Sequence, residues 1–386
     1  MDSIAETIKQ TKAYYCLDCG KCTGNCPVSL FDAAYSPRVM VKSVLLGEGE
    51  KLGKTRLLWS CLSCKMCEER CPSDVHYIEF QRRIRAQYRD LGQREFCSHG
   101  GAFQALMRIM TAPKLKQNRL DWLTKDLALS KRDEVLYFVG CLPYFDAYFE
   151  DLEIHTLDTA RSAIKIMNAM GIKPMLLENE RCCGHDLVWA GDEDNFKRLA
   201  EHNIREIHRS KAKTVVFTCP EGYRTFKVDY PRYFGELKFD VLHLSELVAG
   251  NKSQNPLSLG TLDRTVTYHD PCRLGRHMGL YEPPRELLRS IGDLELREMY
   301  HSKHTAVCCG TSAWMNCDLA SKQIQMMRLR EAKETGAQIL VTACPKCQIH
   351  LTCAMKDKHL SGSLDIDIRD LITLVADSLP SSKRKR

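Results

Sequence analysis

The sequence lacks any run approaching the roughly 18 consecutive apolar residues that span a bilayer, and its start, MDSIAETIKQTK, has no apolar stretch of the kind a secretory signal carries. These absences predict a cytoplasmic protein with no direct membrane span. No phosphate loop and no G-x-G-x-x-G fingerprint appears, so a flavin or nicotinamide is expected on another chain. Charge of one sign is not concentrated either. The 56 Lys and Arg against 49 Asp and Glu give +7, but the basic residues are scattered apart from the final KRKR, which reads as a solvated tail, and no nucleic-acid partner is expected. With 44% hydrophobic and 27% charged residues, a disordered, collagenous or coiled-coil chain is excluded. At 386 residues the chain exceeds one comfortable core, which predicts two or three domains.

What the chain has in excess is cysteine, 20 residues in all. A large chain without an export signal meets a reducing compartment, where dense cysteine means metal or redox chemistry rather than disulfide staples. Metal-bound thiolates would also cancel much of the formal positive charge.

Residues 1–96 read as mostly helical, with cysteine runs set into turns. Ser36-Pro37 has the form of an N-cap followed by a helix-starting proline, and 74–93 continues as a long arginine-rich helix. Residues 97–133 form a helical connector. From 134 the pattern becomes α/β: VLYFVG (135–140), PMLLE (174–178), TVVFTC (214–219) and DVLHL (240–244) predict buried parallel strands between helices. The polar stretch 250–264 reads as a linker, after which TVTYHD (265–270), AVCCG (306–310) and ILVTAC (339–344) resume the pattern up to 379, leaving 380–386 as the tail. Cys141, Cys182, Cys183 and Cys219 recur as Cys272, Cys308, Cys309 and Cys344. The repeat predicts two pseudo-symmetric α/β half-domains, 134–249 and 265–379, packed about a twofold axis.

Two runs of C-x-x-C-x-x-C-x-x-x-C-P, CLDCGKCTGNCP and CLSCKMCEERCP, have the spacing of a two-cluster ferredoxin. Three thiolates two residues apart wrap one cubane, and the fourth, before proline, ligates the other. Cys16, Cys19, Cys22 and Cys71 are thus assigned to one [4Fe–4S] cluster, and Cys61, Cys64, Cys67 and Cys26 to the second. The 35 residues from Cys26 to Cys61 are too many for a compact hairpin ferredoxin and favour a helical one. The second motif, C…CCG…C-P-x-C, is complete in Cys272, Cys308, Cys309, Cys344 and Cys347. Five cysteines exceed what one tetrahedral zinc or one cubane requires. They fall at predicted strand ends, where parallel sheets place sites, and Gly310 is expected to let backbone approach the metal.

A helical two-cluster ferredoxin joined to two CCG domains resembles the family of heterodisulfide reductase D subunits, and YHDPCRLGRHMGLYEPPRELL is similar to that family's second CCG segment. The resemblance covers nearly the whole chain. It implies a noncubane [4Fe–4S] cluster on Cys272, Cys308, Cys309, Cys344 and Cys347. It also implies a flavin-containing partner and other redox subunits, as in electron-transfer subunits of soluble complexes that include the class II benzoyl-CoA reductase type.

The first repeat departs from the pattern, because Gly222 in CPEG stands where Cys347 stands in CPKC. Cys141, Cys182, Cys183 and Cys219 could hold a cubane, an altered cluster or zinc, or the site could be empty. Paired-cluster disulfide reduction, which the resemblance implies for the family's well-understood members, is thereby in doubt. The expected function is an iron–sulfur electron-transfer subunit of a multi-subunit oxidoreductase of anaerobic metabolism. The alternative is a catalytic subunit reducing a disulfide or oxidising a small hydroxy acid at the CCG site, since related glycolate- and lactate-utilising proteins join similar modules. His269, Arg273, His277 and His185 are candidates for proton supply or sulfur hydrogen bonds, as is Arg276; Asp270 before Pro271 reads as a chain turn. Cys97, Cys317 and Cys353 match no ligand spacing and are expected to be buried thiols.

Overall fold

The computed structural model describes residues 3–251, 256–362 and 364–380, with nothing stated for the side chains of Glu50 and Ser361; the KRKR tail lies outside the described residues. The N-terminal region is helical. Helix α1 (Pro37–Leu45) starts as its sequence dictates, with the Ser36 hydroxyl accepting from the Val39 amide and Pro37 at the first position, where a missing N–H costs nothing. Helix α2 (Tyr77–Asp90) buries Phe80, Ile84 and Tyr88, and also Arg82 and Arg85. Arg85 is a tie between elements. It donates to the carbonyl oxygens of Leu58, Cys61 and Trp189 while its guanidinium lies over the Trp59 ring. Of the expected helical connector, only a short 3₁₀ turn and α3 (Ala102–Ile109) are helical; most of 110–133 is turns and extended chain.

Two all-parallel sheets follow. In the first, β1 (Val135–Phe138), β2 (Thr214–Phe217) and β3 (Asp240–His243) lie in the order β1-β2-β3. The expected strand at 174–178 shrinks to one parallel bridge, Leu136 to Met175, because Pro174 brings no amide to a ladder. Helix α4 (Thr156–Ala169) precedes that bridge and α5 (Pro220–Arg224) follows β2, running through a π-turn at Thr225–Asp229; α6 (Leu244–Gly250) follows β3.

The second sheet is ordered β5-β4-β6-β7, from β4 (Thr261–His269), β5 (Gly292–Leu296), β6 (Ile339–Thr342) and β7 (Asp367–Asp370). Strand β4 begins inside the stretch expected as linker, pairing Thr261 with Gly292, while residues 252–255 of that stretch lie outside the described residues. AVCCG is not a strand but a loop. Helix α7 (Glu282–Arg289) joins β4 to β5, α8 (Leu319–Glu334) precedes β6, α9 (Pro345–Lys356) follows it, and α10 (Leu371–Asp377) closes the half.

The two halves pack as the duplication predicts. Helix α4 of the first half meets α10 of the second, and α6 of the first meets α7 of the second. By position in the repeat, α4 corresponds to α7 and α6 to α10, so these are the same contact made twice, as across a twofold axis.

Candidate metal centres

The two ferredoxin-type loops share one backbone shape. Asp18 and Ser63 are left-handed at the same loop position, and Gly20 and Lys65 at another (φ 78° and 68°). This winding turns successive cysteines inward and aims amides at sulfur: Ser63 N–H donates to Cys61 Sγ at 3.3 Å and Val75 N–H to Cys71 Sγ at 3.4 Å. Cys16 and Cys71 both raise the Cys22 thiol after burial does, so these three lie together, with exposed Cys19 on the same loop. Cys26 lies instead with Cys61 and Cys64, its thiol pushed up to about 12 by burial first and by those neighbours. Cys67 feels Cys61, Cys64 and Cys26. The two sets are therefore crossed in space.

At the second half, the five cysteines of the complete motif converge on the C-terminal edge of the parallel sheet. Cys272 follows β4 after a turn at Pro271; Cys344 caps α9, with Pro345 at its first position, and Cys347 lies in its first turn. Cys308 touches Cys272 and Cys309, and Cys347 touches Cys309 and Cys344. Gly310 ends the cysteine pair with φ 81°, but a Cβ there would meet the Ser321 carbonyl oxygen at 2.7 Å. It makes a left-handed turn packed closely against the start of α8.

Cys308 also touches Cys64, a residue of the second ferredoxin-type loop. Four side chains hold that junction. Arg276 donates from Nε to the Cys64 carbonyl oxygen (2.6 Å) and from Nη1 to that of Ala306 (2.6 Å), Arg273 Nη1 donates to Ser63 O (2.7 Å), His277 Nε2 lies 2.9 Å from the same oxygen, and Asn316 donates to Trp59 O and Ser60 O. The Cys64 thiol is drawn down to about 6, first by its contact with Cys308 and then, against burial, by Arg276 and Arg273.

Several buried side-chain nitrogens at this site have no hydrogen-bond partner among the described residues: Arg273 Nη2, Arg276 Nη2 and His350 Nε2. Arg328 Nε donates to His269 Nδ1 at 3.0 Å, which leaves the proton on Nε2, facing Cys309. Orphaned donors of this kind are costly in a native interior. They fit a sulfur-rich acceptor, so the donor set suits an iron–sulfur cluster on these cysteines. Asp270 is an anchor rather than a mere turn residue: its carboxylate accepts from Arg285 at 2.7 and 2.9 Å and from the Lys303 amide.

The first half brings Cys141, Cys182, Cys183 and Cys219 together, with Gly184 N–H donating to Cys182 Sγ at 3.3 Å. The missing fifth thiolate has a steric counterpart. A Cβ at Gly222 would meet the Phe217 ring at 3.2 Å, and the residue equivalent to Phe217 in the second half is the smaller Thr342. Around these cysteines several charged groups pair with one another, although Arg119 Nη1, near Cys141, is buried without a partner among the described residues. Lys346 pairs with Asp186 and with Glu221 (2.6 Å); His185 Nδ1 lies 2.9 Å from Asp186, and Arg273 Nε donates to His185 Nε2 at 3.0 Å. His185 thus has both ring nitrogens engaged, and burial, despite Glu221 and Asp186, holds its basicity below the usual value. Lys346 comes from the second half, between Cys344 and Cys347, and reaches into the first. Its partner Glu221 occupies the equivalent position of the first repeat, 125 residues earlier, and that offset with opposite charges was the signal in the sequence.

The remaining thiols divide. Cys97 and Cys353 are partly buried, whereas Cys317 is exposed, contrary to expectation, because it sits on the loop leading into α8 rather than under it.

The family profiles agree with this geometry. A 4Fe-4S dicluster domain matches residues 12–75, which gives the N-terminal region two [4Fe–4S] clusters, and a cysteine-rich CCG domain matches 135–227 and again 266–352. The D subunit of the dihydromethanophenazine:CoB–CoM heterodisulfide reductase of Methanosarcina acetivorans is 32% identical over 317 residues, covering 80% of this chain and 74% of that one. The chain belongs to the family of heterodisulfide reductase D subunits. It is also similar to the probable iron-sulfur-binding oxidoreductase FadF of Bacillus subtilis, 31% identical over 257 residues, with 64% of this chain and 34% of that protein covered. A hypothetical protein from Helicobacter pylori shares the fold, with a TM-score of 0.54 at 9% identity over 98% of this chain and 77% of that one. Membership makes this an iron–sulfur oxidoreductase-type subunit. No helix among the described residues is long and apolar enough to cross a membrane.

Proposed function

We propose that the chain is the electron-transfer subunit of a heterodisulfide-reductase-like complex, receiving electrons at the N-terminal clusters and delivering them at the complete CCG site. The observation that carries this is the direct contact of Cys64 with Cys308, clasped by Arg273, Arg276 and His277. In this reading Cys16, Cys19, Cys22 and Cys71 hold one cubane, Cys26, Cys61, Cys64 and Cys67 the second, and Cys272, Cys308, Cys309, Cys344 and Cys347 a noncubane cluster. When bound, these groups supply one-electron transfer. The chain's own part is to set the two ligand sets side by side, to keep water out with buried side chains, and to place cations against the thiolates.

Exposed Cys19 and its exposed neighbours Tyr14, Tyr15 and Leu17 form the face that a partner protein meets, and the flavin belongs to that partner. Cys141, Cys182, Cys183 and Cys219 offer four thiolates for a further cluster or zinc, with no room made for a fifth. Burial of Cys308, Cys309, Cys344 and Cys347 at the complete site, where Cys272 is half-buried, and the Lys346–Glu221 pair between the halves favour transfer through the chain over substrate turnover on it.

The test is anaerobic purification with iron and zinc analysis, then freeze-quench electron paramagnetic resonance after mixing with a low-potential donor. About twelve irons correspond to two cubanes and one further four-iron cluster, and about sixteen to a fourth. Cys19→Ser is expected to slow reduction of the CCG signal while leaving its iron in place; an unchanged rate refutes the proposal.

A further inference from the structure

Among the described residues, Arg276 is the one side chain seen to hydrogen-bond the backbone on both sides of the Cys64–Cys308 junction. Its Nε holds the Cys64 carbonyl oxygen, and its Nη1 holds the Ala306 carbonyl oxygen (2.6 Å) and reaches that of His304 (3.3 Å), on the loop that leads into Cys308 and Cys309. The residue is 5% exposed, and Nη2 is buried with no partner among the described residues. Against burial, the charges that bear on the guanidinium include those of Cys64, Cys272 and Cys308, with Tyr281, so the group lies near ligands of two different sets. Lys65, beside Cys64, donates back to the Arg276 carbonyl oxygen at 3.4 Å, which fixes the arginine backbone to the same loop. A planar guanidinium presents five donors in a rigid fork, which lets one side chain reach the carbonyls of both loops and the junction between them, while its charge can also be carried by a lysine ammonium on a stem of similar length.

We propose that Arg276 is a positioning residue that couples two clusters: its Nε and Nη1 lock the Cys64 loop onto the Cys308 loop, and its Nη2 donates to sulfur at their junction, so both potentials depend on one side chain. This rests on the cluster assignment of the proposed function. Because a cation stabilises the more negative, reduced state of whatever it faces, removing it lowers both midpoints, whereas an arginine serving a single cluster would move only one.

The experiment is a potentiometric titration of the anaerobically purified full chain, with the cubane and CCG signals followed separately by electron paramagnetic resonance, on wild type, Arg276→Gln and Arg276→Lys. Iron analysis of wild type comes first: fewer than about twelve irons per chain contradicts the cluster assignment itself, independently of Arg276. With clusters present, Arg276→Gln is expected to shift both midpoints to lower potential in parallel, and Arg276→Lys, which keeps the charge, to restore most of the shift. Loss of iron in Arg276→Gln that Arg276→Lys repairs, with near-wild-type midpoints in the lysine variant, also supports the proposal. It is overturned if clusters are retained and neither midpoint moves, if only one moves, or if Arg276→Lys behaves like Arg276→Gln in midpoints or in iron.

Discussion

Replacing Lys346 with methionine isolates what the buried ion pair between the halves contributes. The Lys346 side chain is 7% exposed and serves two carboxylates, Asp186 and Glu221, that are themselves 7% and 12% exposed. Burial opposes ionisation of Asp186, but Lys346 and His185 outweigh it and hold the carboxyl below its usual range. Methionine fills the lysine stem and deletes the charge, leaving two acids in the interior with only His185 nearby, at 2.9 and 3.4 Å. Breaking a buried pair from one side costs about 3–5 kcal/mol. At about 2–4 °C per kcal/mol for a unit of this size, the unfolding midpoint falls by about 6–20 °C. Adding Glu221→Gln removes one of the stranded charges, and the double variant is expected to recover at least about half of the loss. The assay is anaerobic thermal unfolding by circular dichroism on proteins matched for iron content. A single-variant loss under about 1 kcal/mol would mean that the ammonium is solvated and refute the reasoning. A double variant no better than the single would show that packing, not charge, set the cost.

Three further outcomes are expected. Gly310→Ala, at φ 81° with the Ser321 carbonyl oxygen 2.7 Å from the new Cβ, loses more than about 2 kcal/mol, whereas Gly20→Ala, at φ 78° with open space, loses about 1; equal losses in denaturant unfolding would refute the steric account. Glu79 is pushed up by burial but brought to about 2 by Arg82, Arg232 and Arg83. Its depressed folded value means the contribution is present above the unfolded value of 4.5 and lost only as pH falls toward 2. The difference between wild type and Glu79→Gln, about 3 kcal/mol from the shift, therefore stays flat from pH 7 to 5, and narrowing in that window on urea unfolding would contradict it. Gly222→Cys is expected to leave iron per chain unchanged, because the Phe217 ring crowds the new side chain; a gain of about four irons would show that the missing thiolate alone limits the site.

The cysteine spacing carries most of the chemistry, since three thiolates two residues apart fit only a loop wound around one centre, and the structure winds both loops alike. Central strands are legible for the same kind of reason: TVVF and ILVT are continuous apolar runs buried on both faces. The edge strands of the second sheet are not. GDLEL and DIRD carry charges along their exposed edges and so read as polar loop, while VCC in AVCCG reads as a strand because cysteine is apolar by composition. In the structure these residues are loop, ending in a left-handed turn at Gly310. Nor can sequence show that Cys64 meets Cys308, because a contact between residues 244 positions apart depends on how the helical region docks on the second half. The exposure of Cys317 escapes the sequence for a related reason: whether a thiol is covered depends on where the following helix lies.

The asymmetry between the halves is a matter of a few positions on a duplicated frame. Where the second half has Thr342 and Cys347, the first has Phe217 and Gly222, which trades a fifth thiolate for an aromatic ring packed against Phe138 and Phe226 at 5.2 and 4.9 Å. Where the second half has Lys346, the first has Glu221, and the two meet as a pair. Equal charges at those positions would repel across the pseudo-axis, so a sequence that keeps a titratable residue there in both halves needs opposite signs. The duplication thus places two residues face to face, and their divergence decides that the halves bind each other at that point. The second ferredoxin-type loop breaks the symmetry further: it docks on Cys308 of the second half, beside buried arginine nitrogens without a partner among the described residues, while Lys346, Asp186, Glu221 and His185 pair with one another at the first. In the proposed reading, a chain built this way directs its N-terminal clusters toward one half and uses the other to hold that half in place.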